Sequence, residues 1–364
     1  MAWRAHCDGV EFAPFIFPAS SPEGPPIETS QLMQFSSNQE SGRRTKERCV
    51  IIYNPQAGKL RDGGSERLEG ARRSITEAGY ETTLVPTSGP GTAVALARGL
   101  VADGVGLIIA AGGDGTINEV TEGMLRSAIP LGILPAGTAN VLASETGMSC
   151  DLPTAAREIL TYTPERISVG RLHLNSSSSG TRHFLLMAGV GLDARMIYKL
   201  NAPLKTNLGK VAYWIAAFSL MGRRLEEFSV KIEDRDYSCS FALVSKVRNY
   251  GGDLEIARDT SLFDDQFEIV LFRGENSVRY VRYFVGVVLN RLQGMKGVSI
   301  VRAKKLYVSP ARDSRVYIQV DGEYAGQLPC CVDIVKDAIT LLLPPQYKRR
   351  VKLTMSRLNR SGSG

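Results

Sequence analysis

Histidine is scarce in this chain: 364 residues carry only three, and each is poorly placed for catalysis. His6 lies in the N-terminal stretch, while His173 and His183 flank a serine-rich loop with no partner evident from sequence. Proton transfer therefore falls to carboxylates. The six cysteines, Cys7, Cys49, Cys150, Cys239, Cys330 and Cys331, show no C-x-x-C spacing, which fits reduced thiols in a cytoplasmic protein. Long apolar runs are also missing. The longest, Val211 to Met221, is well short of the roughly 20 residues a bilayer requires, so no spanning helix is expected. The stretch Phe12 to Phe17 is broken by Pro14 and lacks a following cleavage-like pattern, so export by a signal peptide is not expected. Asn175-Ser176-Ser177 matches a glycosylation acceptor formally and is read as loop filler. No G-x-x-x-x-G-K-[ST] occurs, which argues against a P-loop fold without arguing against phosphoryl transfer.

The remaining composition is that of a globular protein large enough for two buried cores. Residues 1–47 contain Pro, Ser and Glu without sustained periodicity and are expected to be a disordered tail. From residue 48 to 167, apolar strands alternate with amphipathic helices at Glu66 to Ala78, Gly91 to Val101, Ile117 to Ser127 and Pro153 to Thr161. That alternation predicts an α/β domain with a parallel, helix-covered sheet of Rossmann-like type. From 168 to 346, β-branched and aromatic runs predict a mainly antiparallel domain, with strands at Phe184 to Ala188, Phe228 to Ile232, Ser240 to Val244, Phe267 to Phe272 and Val316 to Val320. Helices interrupt it near Lys210 to Met221 and Ser277 to Leu292, and a basic tail occupies 347–364.

Three polar loops follow strands in the first domain. Leu107-Ile108-Ile109-Ala110-Ala111 runs into Gly112-Gly113-Asp114-Gly115-Thr116 and a helix start, an arrangement suited to cradling phosphate on backbone amides. Leu131-Gly132-Ile133-Leu134 leads into Pro135-Ala136-Gly137-Thr138-Ala139-Asn140, and Val50-Ile51-Ile52-Tyr53 into Asn54-Pro55-Gln56-Ala57-Gly58-Lys59. Each loop alone is ordinary turn punctuation, with Asp114 bonding its own backbone. Together they favour one nucleotide crevice at the carboxyl ends of the strands.

Asn-Pro-x-Ala-Gly, Gly-Gly-Asp-Gly-Thr-x-Asn-Glu-Val and Pro-x-Gly-Thr-x-Asn, in this order, resemble the diacylglycerol kinase catalytic family. That family includes soluble bacterial lipid kinases and the sphingosine and ceramide kinases. Gly191-Leu192-Asp193-Ala194, Gly251-Gly252 and Asp321-Gly322-Glu323 extend the resemblance, which runs from about Cys49 to Pro345. It implies a nucleotide domain joined to a β-sandwich, with the active site between them.

It also implies an ATP-dependent lipid kinase using Mg²⁺, with a lipid alcohol as acceptor. Diacylglycerol is the first expectation; a sphingoid base or ceramide is the alternative. Glu323 is then the general base, with Asp321 near the metal and phosphate network and Asp114 in the glycine loop. Asn54, Thr87, Gly112, Gly113, Gly115, Thr116, Gly137, Thr138 and Asn140 match nucleotide positions, and Asp193 would orient the acceptor. Leu262, Asp265 and Phe267 match the spacing of a structural Mg²⁺ site, although Asp264-Asp265-Gln266 replaces the usual Asp-Gly. Two plainer readings stay open. Asp321-Gly322 after alternating Val316 to Val320 is a type I′ hairpin signal, which would leave Glu323 a solvated strand residue, and Thr87 can be only a cap.

Charge bears on the partner. Lys and Arg number 44 against 37 Asp and Glu, a formal net charge of +7. No carboxylate occurs from Ala194 to Leu225 or from Ser277 to Arg312, and both stretches carry aromatic residues. The tail adds Lys348, Arg349, Arg350, Lys352, Arg357 and Arg360. Such stretches suit an anionic membrane surface, which predicts peripheral association with the inner face of the membrane. The alternative is core helices whose charges face water. No nucleic-acid-binding signature accompanies the charge, and the sequence leaves a homodimer open. Gly189-Val190-Gly191-Leu192-Asp193-Ala194 imitates a dinucleotide fingerprint, but Lys205, Asn207 and Lys210 stand where an acid is required. An NAD kinase or a non-catalytic lipid-binding protein are the remaining alternatives.

Overall fold

The computed structural model describes residues 46–61, 64–174, 180–191, 194, 225–250, 254–274, 278–289, 291–311 and 314–361, all within one compact unit, Lys46–Gly364. The N-terminal tail to residue 45, the expected helix at 210–221, the acid-free stretch 195–224, Asp193 and the Gly251-Gly252 pair lie outside the described residues.

The first layer is built from β1 (Arg48–Tyr53), β2 (Glu81–Pro86), β3 (Leu107–Gly112) and β4 (Pro130–Pro135), parallel in the order β2-β1-β3-β4. Between and after them run α1 (Gly58–Arg61), α2 (Gly64–Glu77), α3 (Thr92–Ala102), α4 (Asp114–Met124), α5 (Val141–Thr146) and α6 (Leu152–Glu158). Alternate residues of each strand enter opposite cores. Cys49, Ile51, Leu107 and Ile109 pack with Leu68, Ala71 and Ile75 of α2 and with Leu152 and Ala155 of α6. Val50, Ile52, Ile108 and Ala110 pack with Ala93 and Ala97 of α3 and with Ile117 and Val120 of α4. Strands apolar on both faces are what a parallel sheet covered by helices requires.

The second layer contains β5 (Thr163–Leu174), β6 (Thr181–Phe184), β7 (Met187–Gly191), β8 (Phe228–Ile232), β9 (Arg235–Cys239), β10 (Phe241–Ser245) and the short pair β11 (Asn249–Tyr250) and β12 (Leu254–Glu255). It continues through β13 (Phe267–Phe272), β14 (Val298–Ala303), β15 (Lys305–Pro310), β16 (Tyr317–Val320), β17 (Glu323–Gln327) and β18 (Cys330–Leu343). Antiparallel β5 and β18 tie the layers together. They pair from Thr163 opposite Leu343 to Leu174 opposite Cys330, and β18 also lies parallel to β4 at Thr340 and Leu341. The expected division at residue 167 falls inside β5, so covalent and hydrogen-bonded continuity holds the two parts together.

A separate six-stranded sheet, β14-β13-β10-β7-β16-β17, completes the sandwich. Its inner face (Val190, Val244, Ile269, Ile318) packs on Phe228, Val230, Leu306 and Val332. Its other face, with Phe241, Leu243 and Phe272, is covered by Tyr283 and Val287 of α7 (Val278–Val288). The residues expected as a basic tail form α8 (Pro345–Ser361), anchored by buried Tyr347, whose hydroxyl accepts a hydrogen bond from the Leu262 amide at 3.0 Å.

One expected strand is corrected. Phe184 to Ala188 reads as a continuous apolar run, yet the chain breaks between β6 and β7. The amides of Leu185, Leu186 and Met187 donate to the Asp321 carboxylate at 2.9, 3.0 and 2.9 Å, and this turns the chain at the break.

Candidate active site

In the order β2-β1-β3-β4 the connections reverse direction between β1 and β3, which opens a crevice beyond their carboxyl ends. The three polar loops meet there. The Asn54 amide donates to Ala111 O at 3.0 Å, and the Asn54 Nδ2 group reaches the Thr116 hydroxyl at 3.4 Å. Ala136 and Gly137 amides donate to Gly112 O at 2.8 and 3.2 Å. Gly137 must be glycine, because a Cβ there would stand 2.4 Å from Gly113 Cα. Asn140, at φ 47°, closes its loop in both directions: its Oδ1 accepts from the Gly137 amide and its Nδ2 donates to Gly137 O, each at 2.9 Å.

Thr138 is exposed at the tip of this loop, facing Gly58. Thr87 is half-buried at the end of β2, its amide on Tyr53 O at 2.8 Å beside Asn54. The hydroxyl that organises the turn after β2 belongs instead to Thr92, which accepts from the Ser88 amide at 3.2 Å and donates to Gly89 O at 2.7 Å.

Asp114 opens α4. Its Oδ2 accepts from the Val141 amide at 3.0 Å and its Oδ1 from the Leu142 amide at 3.2 Å, so the glycine loop carries the start of α5. Burial pushes its carboxyl above the usual carboxylate range, against those amides. Three backbone amides, those of Val141, Leu142 and Asp114 itself, leave the half-buried carboxylate lone-pair capacity for a cation. The first turn of α4 also presents helix N-terminal amides, at Gly115 and Thr116, toward an anion.

Asp321 and Glu323 arrive from the turn between β16 and β17. Asp321, at φ 46°, is buried and fully engaged with the three amides at the β6–β7 break. Burial, then the neighbouring Asp114 charge, push its carboxyl up to about 7 against those donors. Glu323 begins β17 and projects outward. Its Oε1 comes so close to Gly115 that a Cβ on that glycine would lie 2.5 Å from it. Its Oε2 accepts from Arg182 Nη2 at 3.2 Å, and Arg182 Nη1 donates to Tyr324 O at 3.3 Å. Asp321-Gly322 forms the turn expected of a hairpin, and that turn places Glu323 beside the glycine loop.

The Leu262, Asp265 and Phe267 set lies away from this cluster. Asp265 is ion-paired with Lys336 at 3.3 Å, and Phe267 is fully buried and stacked on Phe184 at 5.7 Å. The adjacent Asp264 bonds Arg302 at 2.9 Å, while the buried Lys246 ammonium donates to Asp264 O and to Ser168 Oγ. The chain's own cations thus hold this loop, and among the described residues no group of three or more His, Cys, Asp or Glu is placed to share a metal.

Two contributors are invisible in local sequence. Arg182 meets Glu323 across 141 positions. Glu119 accepts from the Gly91 amide at 2.8 Å and the Ala93 amide at 3.3 Å, pinning the start of α3 to α4.

Comparison with known proteins agrees with this architecture. Residues 48–172 match the diacylglycerol kinase catalytic domain, and residues 187–343 match the YegS C-terminal NAD kinase beta sandwich-like domain. A diacylglycerol kinase of Bacillus subtilis is 30% identical over 288 residues, which cover 78% of this chain and 91% of that protein. The chain belongs to the diacylglycerol kinase family. A second family member, from Staphylococcus epidermidis, is 27% identical over 78% of this chain and 88% of its own. The crystal structure of a diacylglycerol kinase from Bacillus anthracis superposes with a TM-score of 0.67 at 21% identity, covering 84% of this chain and 99% of that one, and supports the fold. As a member of this family the chain is a lipid kinase, a phosphotransferase. Among the described residues no helix is long and apolar enough to cross a membrane.

Proposed function

We propose that this chain transfers the γ-phosphoryl group of ATP to the free hydroxyl of diacylglycerol, giving phosphatidic acid, with Glu323 as the base. The carrying observation is the approach of Glu323 to Gly115: the one outward-facing carboxylate of the hairpin lies on the loop best suited to hold phosphates. Asn54, Thr87, Gly112, Gly113, Gly115, Thr116, Gly137, Thr138 and Asn140 line or brace the nucleotide side. The Gly115 and Thr116 amides, at the start of α4, face the phosphate oxygens. Mg²⁺ held with ATP at Asp114 would supply neutralising charge on those oxygens.

The acceptor hydroxyl must give up its proton as its oxygen attacks phosphorus. Glu323 Oε1 is the group placed to take that proton, and the bridging oxygen of the leaving ADP carries away the electron pair. Arg182 holds Oε2 and so keeps Oε1 turned toward Gly115. Asp321 acts through this frame, fixing the turn that carries Glu323. Asp193 remains the proposed contact for the acceptor head group. The lipid acceptor and the basic surfaces support work at an anionic membrane on its cytoplasmic side.

The test is incubation of purified protein with γ-labelled ATP, Mg²⁺ and mixed micelles holding diacylglycerol, a sphingoid base or ceramide, alongside NAD. Label in phosphatidic acid is the expected result. Label in a sphingoid or ceramide product would reassign the acceptor, label in NADP would favour the NAD kinase reading, and no label would favour a lipid-binding protein.

A further inference from the structure

Helix α7 carries two apolar faces, and only one is used by the core. Tyr283 and Val287 are buried against Phe241 and Phe272, and Tyr283 donates to Arg273 O at 2.7 Å. The opposite side exposes Val281, Val285, Val288 and, in the residue after the helix, Leu289; Val288 and Leu289 are 53% and 58% exposed. These positions fall at i, i+4, i+7 and i+8, which is one helical stripe. Phe284 lies on the same side. Arg282 borders the stripe on the helix itself, Arg279 lies at the helix start beside Gly274, and Arg291 and Lys296 follow just beyond the helix, all exposed. Sequence 277–312 contains no carboxylate to offset them.

We propose that α7 is a membrane-docking helix: it lies along an anionic bilayer with this stripe in the acyl-chain boundary and its arginines among the phosphates. The assignment rests on the lipid kinase reading and gives it a surface. An apolar stripe bordered by cations matches what an interfacial helix needs, about 1 kcal/mol from each basic residue near the surface adding to apolar burial. Charge selects this occupant over a second copy of the chain. A two-fold pairing of α7 with itself would gather the cations of both copies with no carboxylate from 277–312 to offset them, whereas a bilayer of acidic lipid offers the opposite sign. The position also suits delivery. α7 covers Phe241, which pairs with Gly191 at one end of β7, while Met187 at the other end donates to Asp321. At about 3.3 Å per residue, those ends are roughly 13 Å apart, within the length of an extended lipid.

The experiment sediments the full chain with vesicles of phosphatidylglycerol and phosphatidylcholine in equal parts, and with phosphatidylcholine alone, without ATP. Val288→Asp and the double variant Arg279→Gln with Arg282→Gln are compared with the parent. Each is expected to weaken binding to the mixed vesicles by about tenfold or more, while the parent binds phosphatidylcholine alone only weakly. Turnover of dispersed dioctanoylglycerol is expected to be unchanged in the variants, and loss of that turnover in the parent would instead count against the kinase reading. Parent-like vesicle binding by both variants would overturn the assignment. So would a parent dimer that Val288→Asp converts to monomer without altering vesicle binding.

Discussion

Asp321 and Glu323 sit two positions apart on one hairpin, yet they differ in nearly every physical respect. Asp321 is buried, and its two oxygens accept three backbone amides. Glu323 has a side chain 48% exposed, held by one arginine that is itself 38% exposed. Asp114 resembles Asp321, its oxygens accepting the amides of Val141 and Leu142. Asp114 and Asp321 are therefore tied to backbone amides, whereas Glu323 is held through a single exposed arginine. In this Asp-Gly-Glu motif a frame residue, a turn and the proposed base follow one another.

Removing the frame should cost the most. Asp321→Ala leaves three buried amides without an acceptor, at about 1–3 kcal/mol each for an unsatisfied buried group, and is expected to destabilise the protein by roughly 4 kcal/mol in urea unfolding. A loss under about 1 kcal/mol would mean that the amides find other partners. Gly115→Ala is the complementary case. Its new methyl meets only the flexible end of Glu323, at 2.5 Å, so the carboxylate should swing aside. Stability is expected to hold while kcat drops by about tenfold or more, since misplacing a base by an ångström is costly. A parent-like kcat would detach Glu323 Oε1 from the reaction.

Arg182→Gln should have a smaller effect. The pair is solvent-exposed, so unfolding should shift by less than about 1 kcal/mol, while kcat falls several-fold with little change in KM for ATP. A loss seen only in KM would make Arg182 a nucleotide contact. A pH effect probes the same frame without a change in contacts. With the Asp321 carboxyl raised to about 7 in the folded state and near 4 when unfolded, the folded state binds the extra proton between those values. Its contribution to stability should therefore fall as pH rises from about 4 to 7, and Asp321→Asn should flatten that slope. A rising contribution over the same interval would mean that the amides outweigh burial.

Much of this frame was legible in the sequence because it is local. Strand, polar loop and helix start recur within a dozen residues, so the crevice formed by Asn54, Gly112 and Gly137 follows from spacing and from the tendency of parallel strands to collect ligands at one end. The β-rich second half was legible for the same reason. What escaped were contacts between distant positions. Phe184 to Ala188 has an unbroken strand pattern, and only Asp321, 134 to 136 positions away, explains its break. Arg182 follows a serine-rich loop like any surface cation, and Glu119 looks like the outer face of a helix. Around Asp264 and Asp265, too, the cations come from other elements, Lys336, Arg302 and Lys246, which no local pattern foretells.

Glu323 is expected to perform the proton transfer while Asp321 and Asp114 hold the frame around it. Single-turnover transfer from γ-labelled ATP to dispersed dioctanoylglycerol, compared between the parent and Glu323→Gln, tests it most directly, with urea unfolding run in parallel. Unfolding is expected to be unchanged and the transfer rate lower by about 10²–10⁴. Transfer at the parent rate by a folded Glu323→Gln protein would contradict it.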